Sequence, residues 1–167
     1  MAGQHTLRET ERQVNERLAG MSIDFTALSV TSNLFRAESA MRNHLQRNVL
    51  DVHQLSWSAF VVLWVVWIWG DVETREIADE AGFSKATLTG VLKTLEKRGL
   101  AKRSGSLVDR RLVNVALTDT GEKLMAELFP RFNQQEQHLA SALTPDEQVT
   151  FAEMLRKITT HAAERLV

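Results

Sequence analysis

Hydroxyl and cationic side chains are concentrated on one face of a short helix predicted in the middle of the sequence. Apolar residues recur there at the spacing of a core-facing helical stripe, at Leu88, Val91, Leu92 and Leu95. The opposite face is small and hydroxylic near its start and basic further along, with Ala86, Thr89, Gly90, Lys93 and Lys97. Such a face can lie deep in a DNA major groove, where base edges are read. The alternative is a solvated surface helix with ordinary lysines.

Glycine and serine mark the ends of this helix and the turn before it. Gly82 suits a sharp turn, because glycine adopts positive φ at no steric cost. Ser84 is a good N-cap, since its hydroxyl can accept from an unpaired backbone N–H, and Gly99 fits the C′ position that ends a helix. The stretch therefore predicts two short helices joined by a tight turn, the first of them beginning near Thr74.

A two-stranded hairpin is predicted directly after the second helix. Its second strand alternates in the period-two pattern of a half-buried strand, over residues 113–117. Residues 101–104 can pair with it across a loop that leads to Asp109, Arg110 and Arg111. An arginine on an extended hairpin can reach a narrow minor groove, where negative potential is enhanced. Asp109 would repel phosphate, so its predicted role is to hold a nearby arginine by a charge-assisted hydrogen bond.

Four motifs follow one another in this stretch: LKTLEKRGLAKR at residues 92–103, DRR at 109–111, LT at 117–118, and Gly121. In this order they resemble the MarR family of winged helix-turn-helix regulators. The resemblance covers about residues 56–125 and implies a dimeric, bacterial-type transcription regulator, often a repressor released by a small ligand. It assigns residues 84–93 to the recognition helix, and Asp109 and Arg111 to the D-x-R pair of the wing, with Arg111 as the minor-groove arginine. The wing departs from the family pattern at Leu107 and Val108, where many relatives are polar.

The residues and the resemblance together predict an architecture and a set of contacts. The fold class is mainly α with a small antiparallel β wing. A winged helix-turn-helix lobe over residues 55–118 and dimerisation helices over 23–50 and 119–167 form a single domain, 23–167, preceded by a tail or short extra helix at 1–22. The predicted DNA contacts are Ser84, Lys85, Ala86, Thr87, Thr89, Gly90, Lys93, Arg103, Asp109, Arg110 and Arg111.

Composition and charge fit this interpretation. The 167 residues suffice for one domain with a substantial core. The absence of cysteine excludes disulfides and thiol chemistry, and no secretory-type apolar segment begins the chain, so we expect a cytoplasmic protein. The net charge is −1, but residues 84–111 hold eight lysines and arginines and two acidic residues, a net +6 that leaves −7 elsewhere. A cationic segment on an acidic body is what oriented docking on phosphate requires.

The most apolar run is LSWSAFVVLWVVWIW, at residues 55–69. Its uninterrupted apolar part, residues 59–69, is eleven residues long, whereas a membrane-spanning helix needs roughly 20. A helix that is apolar all round belongs inside a protein. We therefore expect a buried helix, capped by Ser56 and ended by Gly70, and no membrane partner.

Four tryptophans lie in this run, at positions 57, 64, 67 and 69. They can serve core and interface packing, or they can line a pocket for an aromatic ligand. Trp57 and Trp64 are seven residues apart and share a helical face, and His44 on the preceding helix could supply a polar group. An apolar cavity with a few placed polar groups suits a small aromatic ligand. His44, Trp57 and Trp64 are therefore the candidate ligand-binding residues.

The flanking helices provide more apolar surface than a single lobe can cover. One is expected from Asp24 to about Val49, a second from Thr118 to about Ala142 with a bend or local break at Pro130, and a third after Thr144. Thr144 begins a capping box with proline at the first helical position. We infer a homodimer that presents two recognition helices to successive major grooves of a palindromic operator, ~34 Å apart.

Two other classes of function are an enzyme and a dimeric interaction module without DNA binding. The sequence contains no Gly-rich phosphate loop, no H-E-x-x-H and no nucleophile motif, and its five histidines lack metal-ligand spacing. We therefore expect neither an enzyme nor a cofactor, although a dispersed zinc site stays open. The third class is a dimeric interaction module without DNA binding. The cationic cluster argues against it, and a ligand-dependent change in the spacing of the two lobes is the expected mechanism.

Overall fold

Helices account for most of the chain in the computed structural model, which describes residues 5–105 and 113–164. The helices in this part of the chain are α1 (Leu7–Arg17), α2 (Phe25–Leu45), α3 (Trp57–Trp69), α4 (Thr74–Ala81), α5 (Lys85–Lys97), α6 (Asp119–Ala140) and α7 (Pro145–Glu164). The strands are β1 (Val72–Glu73), β2 (Ala101–Gly105) and β3 (Val113–Leu117). The predicted fold class, mainly α with a small antiparallel sheet, is confirmed.

The chain divides into two compact units between Asn43 and His44. In the first unit, α1 begins with a capping box: the Thr6 hydroxyl accepts from the backbone N–H of Glu9, and the Glu9 carboxylate accepts from the backbone N–H of Thr6. These hydrogen bonds hold the pKa of Glu9 below its usual value. The side-chain amide of Asn33 donates to the Glu11 carboxylate at 2.8 Å, which ties α2 to α1.

The second unit begins in the last turn of α2. The chain continues from there as a π-helical turn over Gln46–Leu50 and a 3₁₀ turn over Asp51–His53. The predicted helix to about Val49 therefore ends in two irregular turns. Leu45, Val49 and Leu50 are all buried there.

The helix α3 lies at the centre of the core. Ser56 caps it by accepting from the backbone N–H of Ala59 at 3.2 Å, and Gly70 ends it, as predicted. Its buried side chains are Ala59, Phe60, Val62, Leu63, Val65 and Val66. They pack with buried residues of α4, α5, α6 and the sheet, so this helix organises the unit.

Across residues 5–105 and 113–164, no single helix is both long and apolar enough to cross a membrane. Phe25–His53 and Trp57–Trp69 satisfy the length and composition criteria only when counted together, and they meet at a sharp bend.

The strands form one antiparallel sheet in the order β1-β3-β2. Val72 pairs with Val115, and Arg103 pairs with the same residue from the other side. Val115 and Leu117 are buried, whereas Val113 on the same face of β3 is exposed. The C-terminal part of β3 therefore packs on the core, and its first residue does not. The hairpin agrees with the sequence pattern, and β1 adds a third strand that pairs with β3.

The helices α4 and α5 are joined by a turn of the predicted kind. Gly82 has φ 64° and ψ 32°, a left-handed conformation that costs glycine no steric strain. The Ser84 hydroxyl then accepts from the backbone N–H of Thr87 at 3.1 Å and caps α5. Gly99, with φ 68°, follows the end of α5 and turns the chain into β2.

The two C-terminal helices are also capped at the predicted residues. The Thr118 hydroxyl accepts from the backbone N–H of Gly121 at 3.1 Å to begin α6, which continues through Pro130 without the local break considered above. At Thr144, the backbone N–H donates to the Glu147 carboxylate at 2.8 Å, and this capping box lowers the pKa of Glu147.

Candidate nucleic-acid interface

The helix α5 separates a buried stripe from a fully exposed face. Leu88, Leu92 and Leu95 are buried, and Val91 is half-buried beside them, as the three-one-three spacing predicted. The predicted contacts on this helix are all exposed, namely Ser84, Lys85, Ala86, Thr87, Thr89, Gly90 and Lys93. Since the buried stripe holds the helix against α3, the exposed face is presented on a rigid support.

The hydroxyl groups on this face are held by the helix itself. Ser84 Oγ and Thr87 Oγ1 lie 2.8 Å apart. Thr89 donates to the carbonyl of Lys85 at 2.8 Å, and Thr94 donates to the carbonyl of Gly90 at 3.1 Å. A threonine that donates inward keeps its oxygen lone pairs and its methyl group available outward. Those groups suit an amino group or a thymine methyl on a base edge.

The predicted contact Arg103 is engaged by a carboxylate within the same lobe. Its Nε donates to Glu96 Oε1 at 2.8 Å and its Nη2 to Glu96 Oε2 at 2.5 Å, a bidentate pair that joins β2 to α5. The hydrogen bonds from Arg103 hold the pKa of Glu96 below its usual value, and those to Glu96 raise the pKa of Arg103. Arg103 therefore orients the strand relative to the helix, and its charge is partly neutralised.

Arg98 is also used inside the lobe. It donates to the carbonyl of Gln54 at 2.7 Å and to that of His53 at 2.8 Å. These bonds fix the C-terminal end of α5 to the turn that precedes α3. Lys85, Lys93 and Lys97 are exposed, and they are the cations of α5 that can meet phosphate.

A groove of about 490 Å³ lies beside the exposed face, between α4, α5 and the sheet. Phe83 and Leu88 are among its apolar lining residues, and its polar side includes Lys85, Thr89 and Arg103. Three predicted DNA contacts therefore line this groove. A small molecule lying in it would compete with DNA for the same side chains.

The base of the hairpin is joined to α6 by Thr118. Its backbone N–H donates to the carbonyl of Leu100 at 3.1 Å, and its hydroxyl donates to that of Gly99 at 2.5 Å while capping α6. Thr118 therefore connects the start of α6 to the segment that joins α5 to β2. The tip of the wing, with the predicted contacts Asp109, Arg110 and Arg111, lies outside the described residues, and those assignments stay predictions.

Each of the three candidate ligand residues contacts a side chain of α6. Trp64 stacks on Phe129, with ring centroids 4.5 Å apart, and Trp57 lies against Phe132 at 6.3 Å. His44 Nε2 lies 2.8 Å from Gln135 Oε1, so the ring donates to the amide, and His138 stacks on His44 at 5.8 Å. The contacted positions on α6 are three residues apart, at 129, 132, 135 and 138. The contacts of Trp57 and Trp64 are aromatic, and that of His44 is polar. The assignment of these residues to a ligand site stays a prediction.

Sequence reasoning missed the α6 partners in this row. It gave Phe129, Phe132, Gln135 and His138 no role beside the candidate ligand residues. The three-residue spacing was the signal that could have found them. Among the described residues, no group of three or more His, Cys, Asp or Glu side chains could hold a metal ion.

Comparison with known proteins identifies the lobe and then the whole chain. Residues 55–113 match the family model of the MarR family. The chain is 39% identical to the uncharacterized HTH-type transcriptional regulator YwaE of Bacillus subtilis (strain 168), over 91% of each chain. It is 27% identical to the HTH-type transcriptional regulator MhqR of the same organism, over 78% of this chain and 90% of the relative.

A solved structure agrees with these relatives. The structure of Bordetella bronchiseptica BpsR, described as showing how 6-hydroxynicotinic acid regulates its DNA binding, superposes with a TM-score of 0.72 at 31% identity, over 78% of this chain and 98% of that one. The predicted recognition helix and β2 fall where the family model matches, and the match ends at the first residue of β3. The chain belongs to the MarR family of winged helix-turn-helix, DNA-binding transcriptional regulators.

Proposed function

We propose that the protein is a homodimeric repressor that binds a palindromic operator through α5 and releases it when a small aromatic ligand binds. The observation that carries this proposal is the exposed face of α5, where small and hydroxylic side chains lie between Lys85 and Lys93. This combination supports insertion into a major groove, with the hydroxyls at base edges and the cations at phosphates. The N-terminus of α5 adds partial positive charge at the same end as Lys85.

The dimer is supported by an apolar surface on α7 that the described protomer leaves uncovered. Its large apolar side chains are exposed by 45% at Phe151, 54% at Met154 and 41% at Ile158. These positions are three and four residues apart and lie on one face. We define Phe151, Met154 and Ile158 as the α7 stripe. A contiguous apolar stripe of this kind marks an interaction site, and a second copy of the same stripe would cover it in a two-fold dimer.

Ligand control is supported by the row of side chains along α6 and by BpsR, whose DNA binding responds to 6-hydroxynicotinic acid. A planar aromatic acid could stack in place of one of the present ring contacts, near Trp57 and Phe132, with His44 and Gln135 at the polar end. Because Thr118 joins α6 to the base of the wing, a ligand that shifts α6 would change the position of α5. It would lower operator affinity only by its differential affinity for the two positions.

The DNA contact of α5 is tested through salt dependence. Replacing Lys93 with alanine is expected to reduce the slope of log affinity against log salt by about 0.9, the value for one phosphate contact. The measurement is operator affinity over a series of salt concentrations. Lys123→Ala is the matched control, because Lys123 is an exposed lysine on α6. An unchanged slope in Lys93→Ala would mean that this side chain faces solvent in the complex.

The ligand is tested with the same operator titration. Adding 6-hydroxynicotinic acid or a related small aromatic acid is expected to weaken operator binding, with typical allosteric couplings of about 5–150-fold. Trp57→Ala should abolish the response while retaining operator binding, because Trp57 contacts α6 and lies outside the α5 face. Ligand release would be rejected if a panel of such acids left operator affinity unchanged.

A further inference from the structure

Gly90 occupies a position where glycine has a cost for the helix, and the described residues show no structural need for it. It is the sixth residue of the thirteen-residue helix α5, on the exposed face. Glycine in a helix interior is destabilising relative to alanine, because it loses more backbone freedom on folding. A glycine at this helical position therefore calls for a structural or functional explanation.

The usual structural reasons do not apply. Gly82 and Gly99 have positive φ, which explains them, whereas Gly90 has no such conformation. Gly121, the other glycine within a described helix, has the carbonyl oxygen of Leu100 where a Cβ would lie. At Gly90 a Cβ would meet no heavy atom within 4 Å beyond its chain neighbours and the adjacent helix backbone. In the described part of the chain, therefore, the space that Gly90 leaves is open to the outside.

The neighbours of Gly90 show what this open space faces. Thr89 precedes it, Ala86 lies one turn earlier on the same side, and Lys93 lies almost one turn later. Ala86 and Gly90 are both small and exposed, and Thr89 and Lys93 lie beside them on the same helix. The Thr94 hydroxyl donates to the carbonyl of Gly90, so the backbone at this point stays in a regular helix.

We propose that Gly90 is the point of closest approach between α5 and the operator, and that its missing side chain determines specificity by letting the helix sit deeper in the major groove. The preferred base pair would be one whose edge fills the space above Gly90 and contacts the helix backbone and Thr89. The inference rests on the proposed function, since it assumes that this face binds DNA.

The substitution Gly90→Ala tests this proposal, because it should raise the stability of the free protein and lower its affinity for the operator. The free protein should become more stable, with an unfolding midpoint raised by roughly 2–4 °C, since alanine favours the helix and its Cβ meets open space. Operator affinity should fall by about tenfold or more, because the added methyl group holds the helix away from the base edges. The salt slope should stay at the wild-type value, because no phosphate contact is removed.

The controls use the same operator, selected with the wild-type protein from random duplex DNA. Ala126→Gly makes the reverse exchange on the exposed side of α6 and should lower the unfolding midpoint while leaving operator affinity unchanged. Lys93→Ala should lower both affinity and salt slope. The proposal for Gly90 is overturned if Gly90→Ala binds the operator as tightly as wild type, or if it lowers the unfolding midpoint. If wild-type protein selects no sequence at all, the proposed function itself has failed.

Discussion

Ile158→Glu is expected to dissociate the dimer and to weaken operator binding at least ~100-fold. The reason is that the substitution places a charge in the α7 stripe, where a partner would exclude water. Each monomer would then bind one half-site alone and lose the effective concentration that links the two sites, a factor of about 10²–10⁴. Sedimentation equilibrium measures the association, and titration of a two-half-site duplex measures the affinity.

The substitution should leave the protomer folded, because Ile158 is 41% exposed and belongs to no described core cluster. Thr160→Glu is the matched control, since it adds the same charge to the same helix on a side away from the stripe. A circular dichroism spectrum like that of wild type would show intact helices. If Ile158→Glu remained a dimer with wild-type operator affinity, α7 would not form the interface.

Gly121→Ala is expected to destabilise the protein by about 1–3 kcal/mol, the usual range for overpacking. A Cβ at this position would overlap the carbonyl oxygen of Leu100, a backbone atom that also accepts from the N–H of Thr118. The first turn of α6 would have to move away from the end of α5, and the Thr118 cap would be strained. Denaturant unfolding measures the loss of free energy of unfolding.

The matched control for this prediction is Thr120→Ala. Thr120 is the exposed neighbour of Gly121 in the same turn, so its substitution should change the free energy of unfolding by less than about 0.5 kcal/mol. Similar unfolding curves for wild type and Gly121→Ala would mean that α6 is free to move relative to the wing base. The transmission of ligand binding through Thr118 would then lose its structural basis.

The helices and their caps could be predicted because the residues that specify them are close together in the sequence. The caps at Ser56, Ser84, Thr118 and Thr144 all form the expected hydrogen bonds, since each involves residues only three positions apart. The buried stripe of α5 follows from helical spacing alone. The pairing of β2 with β3 was predictable from the alternation of β3, and β1 joins the same sheet because Val72 pairs with Val115.

The assignments of individual charges were not predictable in the same way. The net +6 of residues 84–111 counts Arg98 and Arg103 as free cations. Arg98 binds carbonyls 44 and 45 residues earlier in the chain, and Arg103 binds Glu96 across a helix-strand junction. Hydrogen-bond partners of this kind depend on tertiary packing, which residue spacing does not encode. Among the described residues, the positive charge left on the exposed side of α5 is therefore smaller than the sequence count indicates, and Lys85, Lys93 and Lys97 carry it.

The candidate ligand residues lie on the predicted helices, but their surroundings could not be predicted in full. The spacing of Trp57 and Trp64 indicated a shared face of α3, and both do contact α6. What lies opposite them could not be inferred from one helix, because the register between two packed helices is set by the fit of side chains along their whole length. Phe129 and Gln135 therefore entered only with the structure.

The proposed function requires that α5 binds a specific DNA sequence as part of a symmetric dimer. Selection of bound sequences from random duplex DNA with the purified protein tests this directly. We predict enrichment of a palindrome whose half-sites lie about 10–10.5 base pairs apart, centre to centre, with two protomers bound per duplex. No enrichment, or enrichment of a single unpaired half-site bound by one protomer, would contradict it.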